Sequence, residues 1–399
     1  MDGMAVARIN GQIISWALRR SGASLESLAT LKVNLERLKR WESGDESPSE
    51  GQAEELADRL GIAYPMLYMA TVPPDEPIKT PDLRTLDGQP LRKPSLGLLS
   101  VLDSSRARQN WYREELIESG SEPLPFVSRF GIADPIHDIA ADMRVEFRVA
   151  ATTRSDLHGY EELLKSLVVR AEELGILVMR SAVVGHATTR KLSVKEFRGF
   201  VLLDTFAPII FVNDNDAKAA QIFTLAHELA HIWVGASGIS DRDPEDKESS
   251  KNPVETKCDA IAAEFLVPEA ELRTYWNTGL RLESNLLNSS HTFNVSSLVI
   301  LRRAKDLNLI TNSVFFATVH ERYEAYKRHE REAREKESRK KNRKGNFYNS
   351  FEIRNGRKFN SAVVGAVREQ RATYAEAGTL FGISPGAASR YIEKMVPSG

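Results

Sequence analysis

Residues 224–231 read Thr-Leu-Ala-His-Glu-Leu-Ala-His, which sets His227 and His231 four positions apart with Glu228 between them. In a helix of 3.6 residues per turn such side chains share one face, so two imidazoles can reach one metal ion. Glu228, beside them, could take a proton from a water activated there. The bland alternative is a buried helix whose histidines only satisfy hydrogen bonds, and a third ligand would separate the two readings. Upstream, Asp216-Ala217-Lys218-Ala219-Ala220-Gln221-Ile222-Phe223 is Ala-rich and free of Pro and Gly, with Asp216 as the expected N-cap. Phe223, Leu225, Leu229 and Trp233 would hold this helix in a core, and Gly235 would end it.

A third ligand is available one helix later. Residues 254–267 read as a helix that stops at Pro268, with Ala262, Ala263 and Leu266 as a small and apolar packing face. Glu255 and Asp259 are four apart and share a face near its start. Two His and one carboxylate around zinc, with a fourth position open for water, is the composition of a hydrolytic site. Glu255 is the expected ligand, and Asp259 the expected partner of a histidine N–H. Zn2+ is the expected ion, although manganese and iron accept the same donors.

His227-Glu-Leu-Ala-His231, followed by Glu255-x-x-Cys258-Asp259-x-x-Ala262-Ala263-Glu264-Phe265-Leu266-Val267-Pro268, resembles the ImmA/IrrE family of zinc metallopeptidases. The resemblance implies that the Glu thirteen residues before the Pro binds the metal, which falls on Glu255. The family often has Asn where this chain has Asp259.

The elements that must position these residues are short strands and many helices. Residues 176–180 form an apolar strand after a Gly, and residues 199–204 and 208–213 flank a turn as an expected antiparallel pair. A small sheet feeding the metal helix is the layout of zincin-like peptidases, where an edge strand commonly binds an extended peptide. Residues 209–212 could present that edge, with buried pairing equally open. Arg180, His186, Arg190, Lys191 and Arg198 lie in or near the sheet, either as stabilisers of an oxyanion or as solvated charges. Residues 237–252 are polar and suit a lid or a plain loop between the two metal-bearing helices.

Toward the N-terminus, residues 8–70 carry five short helical patterns with tight turns, the second opening on a capping box at Ser24-Leu25-Glu26-Ser27. Trp41-Glu42-x-Gly44-x-x-x-Pro48-Ser49, with Leu28-Ala29 before it and Leu56-Ala57-x-x-Leu60-Gly61 after it, resembles the Xre/Cro-like repressor family. That resemblance implies that the third helix enters the major groove of DNA, presenting Asn34, Glu36, Arg37, Lys39 and Arg40. A protein-contact or dimerisation domain is the alternative, because residues 1–70 hold 8 Lys/Arg against 10 Asp/Glu. Residues 320–399 hold 18 against 10, so attraction to nucleic acid should be stronger at that end.

The expected fold is mainly α with a small β-sheet (α+β), in several domains, as 399 residues require. Residues 1–75 form the Xre/Cro-like domain and 76–130 a Pro-rich connector and a helix. Residues 131–319 form the zinc peptidase domain and 320–344 a charged helix with i,i+4 ion pairs. Residues 345–399 form a small helical C-terminal domain, with helices at 356–369, 372–380 and 385–394, which could touch nucleic acid or dock a partner. Helices are also expected at 97–120, 132–147, 156–174, 269–276 and 281–288, and after Val295-Ser296-Ser297. No run of about 18 apolar residues occurs and the N-terminus lacks a signal-peptide pattern, so no membrane partner is expected. One cysteine, Cys258, forms no internal disulfide and fits a reducing cytoplasm.

The order as a whole resembles the Xre-ImmA/IrrE fusion proteins of bacteria and phages. This implies stress or mobile-element control, with a repressor, a regulator or a cognate toxin as protein substrate. Operator DNA is a further candidate partner, and repressor-like domains often act as dimers or other oligomers. The expected activity is that of a zinc-dependent endopeptidase. The rival reading is a DNA-binding transcriptional regulator, or the antitoxin of a toxin–antitoxin pair, whose zinc domain is a structural, sensory or partner-binding module.

Overall fold

The structure is a computed structural model and describes residues 7–21, 24–29, 33–62, 64–73, 94–148, 159–185, 190–235, 239–240, 253–321 and 347–395. The Pro-rich connector beyond Pro73, His186, most of the 237–252 loop and the charged helix beyond residue 321 lie outside these residues. The chain divides into two compact units, one of Met1–Thr85, Gln89–Arg108 and Val183–Leu192, the other of Leu86–Gly88, Gln109–Ala182 and Ser193–Gly399.

In the first unit, α1 (Gly11–Ser21), α2 (Leu35–Ser43) and α3 (Glu50–Leu60) alternate with 3-10 turns at Leu25–Leu28 and Tyr64–Tyr68. Ile13, Ile14, Ala17, Leu38, Trp41, Ala53, Leu56, Leu60 and Leu67 share their core. α1 crosses α2 so closely that a Cβ on Gly11 would meet the Glu42 carbonyl. Gly44, at φ 83°, ends α2 in the left-handed region that glycine tolerates best. The second expected helix is a single 3-10 turn, and the Ser24 side chain caps nothing. Ala29, extended at ψ 142°, turns the chain away before a second turn can close.

α4 (Leu96–Glu118) supplies residues to both units, and the second continues with α5 (Ile136–Phe147) and α6 (Tyr160–Glu173). Strands β1 (Leu177–Ser181), β2 (Gly199–Leu202) and β3 (Ile209–Asn213) lead into α7 (Lys218–Val234), β4 (Ile239–Ser240) and α8 (Pro253–Leu266). The sheet order is β1-β3-β2-β4. β1 pairs with β3 in parallel, Leu177 opposite Ile209, whereas β2 is antiparallel to both β3 and β4. β3 is therefore central, and residues 209–212 offer no edge. Its run of Ile-Ile-Phe-Val is buried throughout, as a strand covered on both faces requires.

α9 (Glu269–Tyr275), α10 (Leu282–Phe293), α11 (Ser297–Asp306) and α12 (312–321) follow. α11 is capped by Ser296, whose hydroxyl accepts the Val299 N–H at 3.2 Å. The last helices are α13 (Phe347–Asn355), α14 (Arg357–Arg368), α15 (Tyr374–Phe381) and α16 (Pro385–Met395).

The core of this unit is built on α7 and α8. Leu225, Ala226, Leu229, Ala230, Ile232 and Trp233 of α7 are fully buried, as are Cys258, Ile261, Ala262, Phe265 and Leu266 of α8. Each large apolar side chain removed from water contributes about 1.5–3 kcal/mol. Trp233 stacks on Phe126 with ring centroids 4.6 Å apart and donates its indole N–H to Asp142 Oδ2 at 2.8 Å. Farther along, α13 packs on β1. Gly356 offers no capping side chain at the start of α14, and Glu172 of α6 serves instead, its Oε1 accepting the Lys358 N–H at 3.2 Å. Burial raises the Glu172 carboxyl above its ordinary 4.5, partly offset by those backbone N–H groups.

Candidate metal centre

α7 begins one residue later than expected. Ala217 takes the N-cap position, and Asp216 instead accepts from Arg198 Nη1 at 3.0 Å while its carbonyl takes the Gln221 amide at 2.7 Å. Gly235, at φ 76°, ends the helix with its N–H donating to the His231 carbonyl. A Cβ there would also meet Ser128, so glycine is required twice over.

On the inner face of α7 the two imidazoles converge with the carboxylate at the start of α8. His227 Nε2 lies 3.0 Å from Glu255 Oε2 and 3.0 Å from His231 Nε2, and His231 Nε2 lies 3.3 Å from Glu255 Oε1. A tetrahedral ion with bonds of about 2.0–2.1 Å holds its ligand atoms about 3.3 Å apart. Three electron-pair donors at this spacing, both His rings fully buried, fit a divalent cation. Asp259 Oδ1 stands 2.8 Å from His227 Nδ1, without the alignment of a hydrogen bond. A proton on Nδ1 facing Asp259 leaves Nε2 with its lone pair toward the centre. For Glu255, burial raises the carboxyl, but the bonds from His227 and His231 prevail and hold it well below the usual range.

Glu228 points neither to solvent nor to a partner. It is fully buried, and neither carboxylate oxygen has a hydrogen bond among the described residues. Burial pushes its carboxyl up to about 8, with His227 drawing it down and the Glu255 charge adding to the rise. Beside it, Gly199 of β2 has no room for a side chain: a Cβ would lie 2.5 Å from Thr224 Cγ2, 2.9 Å from the Phe211 carbonyl and 3.3 Å from Glu228 Oε1. Sequence reasoning did not single out Gly199. The available signal was a glycine at the head of an apolar strand pattern, a mark of close approach.

Of the five candidate oxyanion groups, two are engaged elsewhere, Lys191 is exposed and His186 lies outside the described residues. Arg180 meets Asp214 at 3.3 Å, and Arg198 meets Asp216 at 3.0 Å. In the first unit, Asn34 Oδ1 caps α2 by accepting the Arg37 N–H at 3.0 Å. Arg37 Nε donates to Glu46 at 2.5 Å with its guanidinium 5.6 Å from the Trp41 ring centroid, and Arg40 lies 3.4 Å from Glu46. Lys39 is exposed.

Residues 171–305, which include all four centre residues and Asp259, match the Peptidase_M78 family, described as an IrrE N-terminal-like domain. This supports a metallopeptidase-type function. The chain is also similar to 7-methyl-GTP pyrophosphatases of Bordetella pertussis (strain Tohama I) and Bordetella parapertussis (strain 12822). Each is 30% identical over 142 residues, covering 34% of this chain and 65% of the relative's length. Among the described residues no helix is long and apolar enough to cross a membrane.

Proposed function

We propose that the protein is a zinc-dependent endopeptidase fused to an N-terminal helix-turn-helix regulatory domain, and that it cleaves one specific repressor, regulator or cognate toxin. The observation that carries this reading is Glu228, a buried carboxylate with no hydrogen-bond partner, next in sequence to a residue of the His-His-Glu cluster. A purely structural metal site has no use for such a group, and an unpaired buried carboxylate is costly to keep.

His227, His231 and Glu255 would hold the ion, with Asp259 fixing the His227 ring. Zinc there supplies a Lewis acid that polarises a peptide carbonyl and lowers the pKa of water toward neutrality. Glu228 accepts the water proton on a carboxylate oxygen and then delivers it to the leaving amine. Its oxygens have no hydrogen-bond partner among the described residues and are left for both transfers, and the site's burial keeps bulk water from competing for the proton. The match of residues 171–305 to a peptidase family adds independent support.

The test pairs zinc content with mass-resolved cleavage, on wild type and Glu228→Gln, against proteins encoded by neighbouring genes. Both should bind one equivalent of zinc, and only wild type should make a discrete cut, the variant losing about 100- to 10,000-fold in rate. Zinc binding with no cut by either protein would favour the regulator or antitoxin, with operator binding by residues 1–75 the next measurement.

A further inference from the structure

α15 and α16 are joined by three residues, Gly382, Ile383 and Ser384, and meet at a tight corner. Thr373 opens α15 with a reciprocal capping box to Glu376, and Gly382, at φ 72°, closes it. At the corner, a Cβ on Gly378 would lie 2.9 Å from the Ile383 carbonyl and 3.1 Å from Pro385 N, so glycine is what lets the two helices meet. Inside the corner, Ala377, Phe381, Ala388, Tyr391 and Ile392 are buried. Phe351 of α13 locks them, with ring centroids 4.5 Å from Tyr391 and 5.3 Å from Phe381. Two short helices, a three-residue turn with glycine and a third helix bracing them make a helix-turn-helix, whose second helix is the one that enters the major groove.

The outward face of α16 suits that role. Its inner residues are Ala388, Tyr391 and Ile392, while Ser384, Pro385, Gly386, Arg390, Glu393 and Lys394 are exposed. The leading residues are small, so the start of the helix can approach base edges without a bulky side chain in the way. Arg390 follows Gly386 by one turn and makes no ion pair among the described residues. In the first unit the contrast is direct, because Arg37 and Arg40 of α2 are both occupied by Glu46. Charge runs the same way: 7 Lys/Arg against 4 Asp/Glu over residues 347–395, and 8 against 10 over residues 1–70.

We propose that α16 is a second DNA-reading helix, which places Ser384, Gly386 and Arg390 in the major groove of double-stranded DNA with Lys394 toward a phosphate. The guanidinium fork of Arg390 matches the paired acceptors on a guanine edge, O6 and N7. The peptidase would thus be tethered to DNA from its C-terminal side, independently of the N-terminal unit and of zinc.

The experiment uses the full chain carrying Glu228→Gln, selecting from a randomised duplex DNA library and then titrating the enriched duplex by fluorescence anisotropy at several salt concentrations. Arg390→Ala should weaken binding by about tenfold or more and relax preference at one base pair, and Lys394→Ala should lower the salt slope by about one. Arg390→Lys should retain part of the affinity and lose the base preference, a split that a folding defect does not produce. Arg40→Ala should leave that base preference intact. The proposal falls if no duplex is enriched, if single-stranded RNA binds in preference, or if Arg390→Ala and Gly386→Glu leave affinity unchanged at unaltered melting temperature.

Discussion

A methyl group at Gly199 would stand 2.5 Å from Thr224 Cγ2 and 3.3 Å from Glu228 Oε1, and on its other side 2.9 Å from a β3 carbonyl that cannot retreat without breaking the ladder. Gly199→Ala should therefore cost about 1–3 kcal/mol by overpacking. It should also lower the cleavage rate by displacing the Glu228 carboxylate, as parallel thermal melts and rate measurements would show. Asp259→Ala tests a different contact. With nothing 2.8 Å from His227 Nδ1 to hold the ring, zinc affinity should drop about 10- to 100-fold in a competition with a chromophoric chelator. The spacing of His227, Glu228 and His231, and that of Glu255 and Asp259, was legible because a helix turns a one-turn separation in sequence into a shared face. Gly199 was not, because its meaning lies in a contact with Thr224 and Glu228 that the strand and helix create only once packed.

At the scale of elements, α2, α7 and α8 could be outlined from apolar spacing and terminal Gly or Pro, since these are local signals. What misled was competition for a side chain or a partner. Asp216 could have capped α7 but pairs with Arg198, and the apolar run of β3 fitted an edge or a centre until β1 closed on it in parallel. A further case is the α6–α14 junction, where Glu172 caps a helix 186 residues away. Its folded carboxyl is raised, so its contribution to stability is fully present below the ordinary 4.5 and is lost as pH rises through the raised value. Glu172→Gln keeps a carbonyl oxygen to accept the Lys358 N–H and removes the titration. The melting temperature of the variant should consequently fall less than that of wild type between pH 4.5 and neutrality, as calorimetry across that range would record.

For the whole molecule, the cluster joins helices that the sequence separates by an 18-residue connection, α7 ending at Val234 and α8 beginning at Pro253. An ion bound there ties them together only in the folded state, so its binding energy becomes folding energy. At zinc about 1,000-fold above its dissociation constant the stabilisation is about 4 kcal/mol. Chelation should therefore lower the transition that carries α7 and α8, and zinc should restore it. The charge difference between the two ends was readable by counting. The two helices α15 and α16 and the break between them were readable as well, but how closely they meet needed the backbone, because only there does Gly378 turn from a weak helix residue into a contact point.

Cys258 is the chain's one thiol, lies wholly inside the core and follows Glu255 by three residues on α8. A soluble disulfide reagent can reach it only when that helix lifts away from its neighbour. The rate of colour release in native buffer is then a direct count of openings. Each opening must also break the ring of donors around the ion, so the same count, taken with and without zinc, measures how long the centre stays shut.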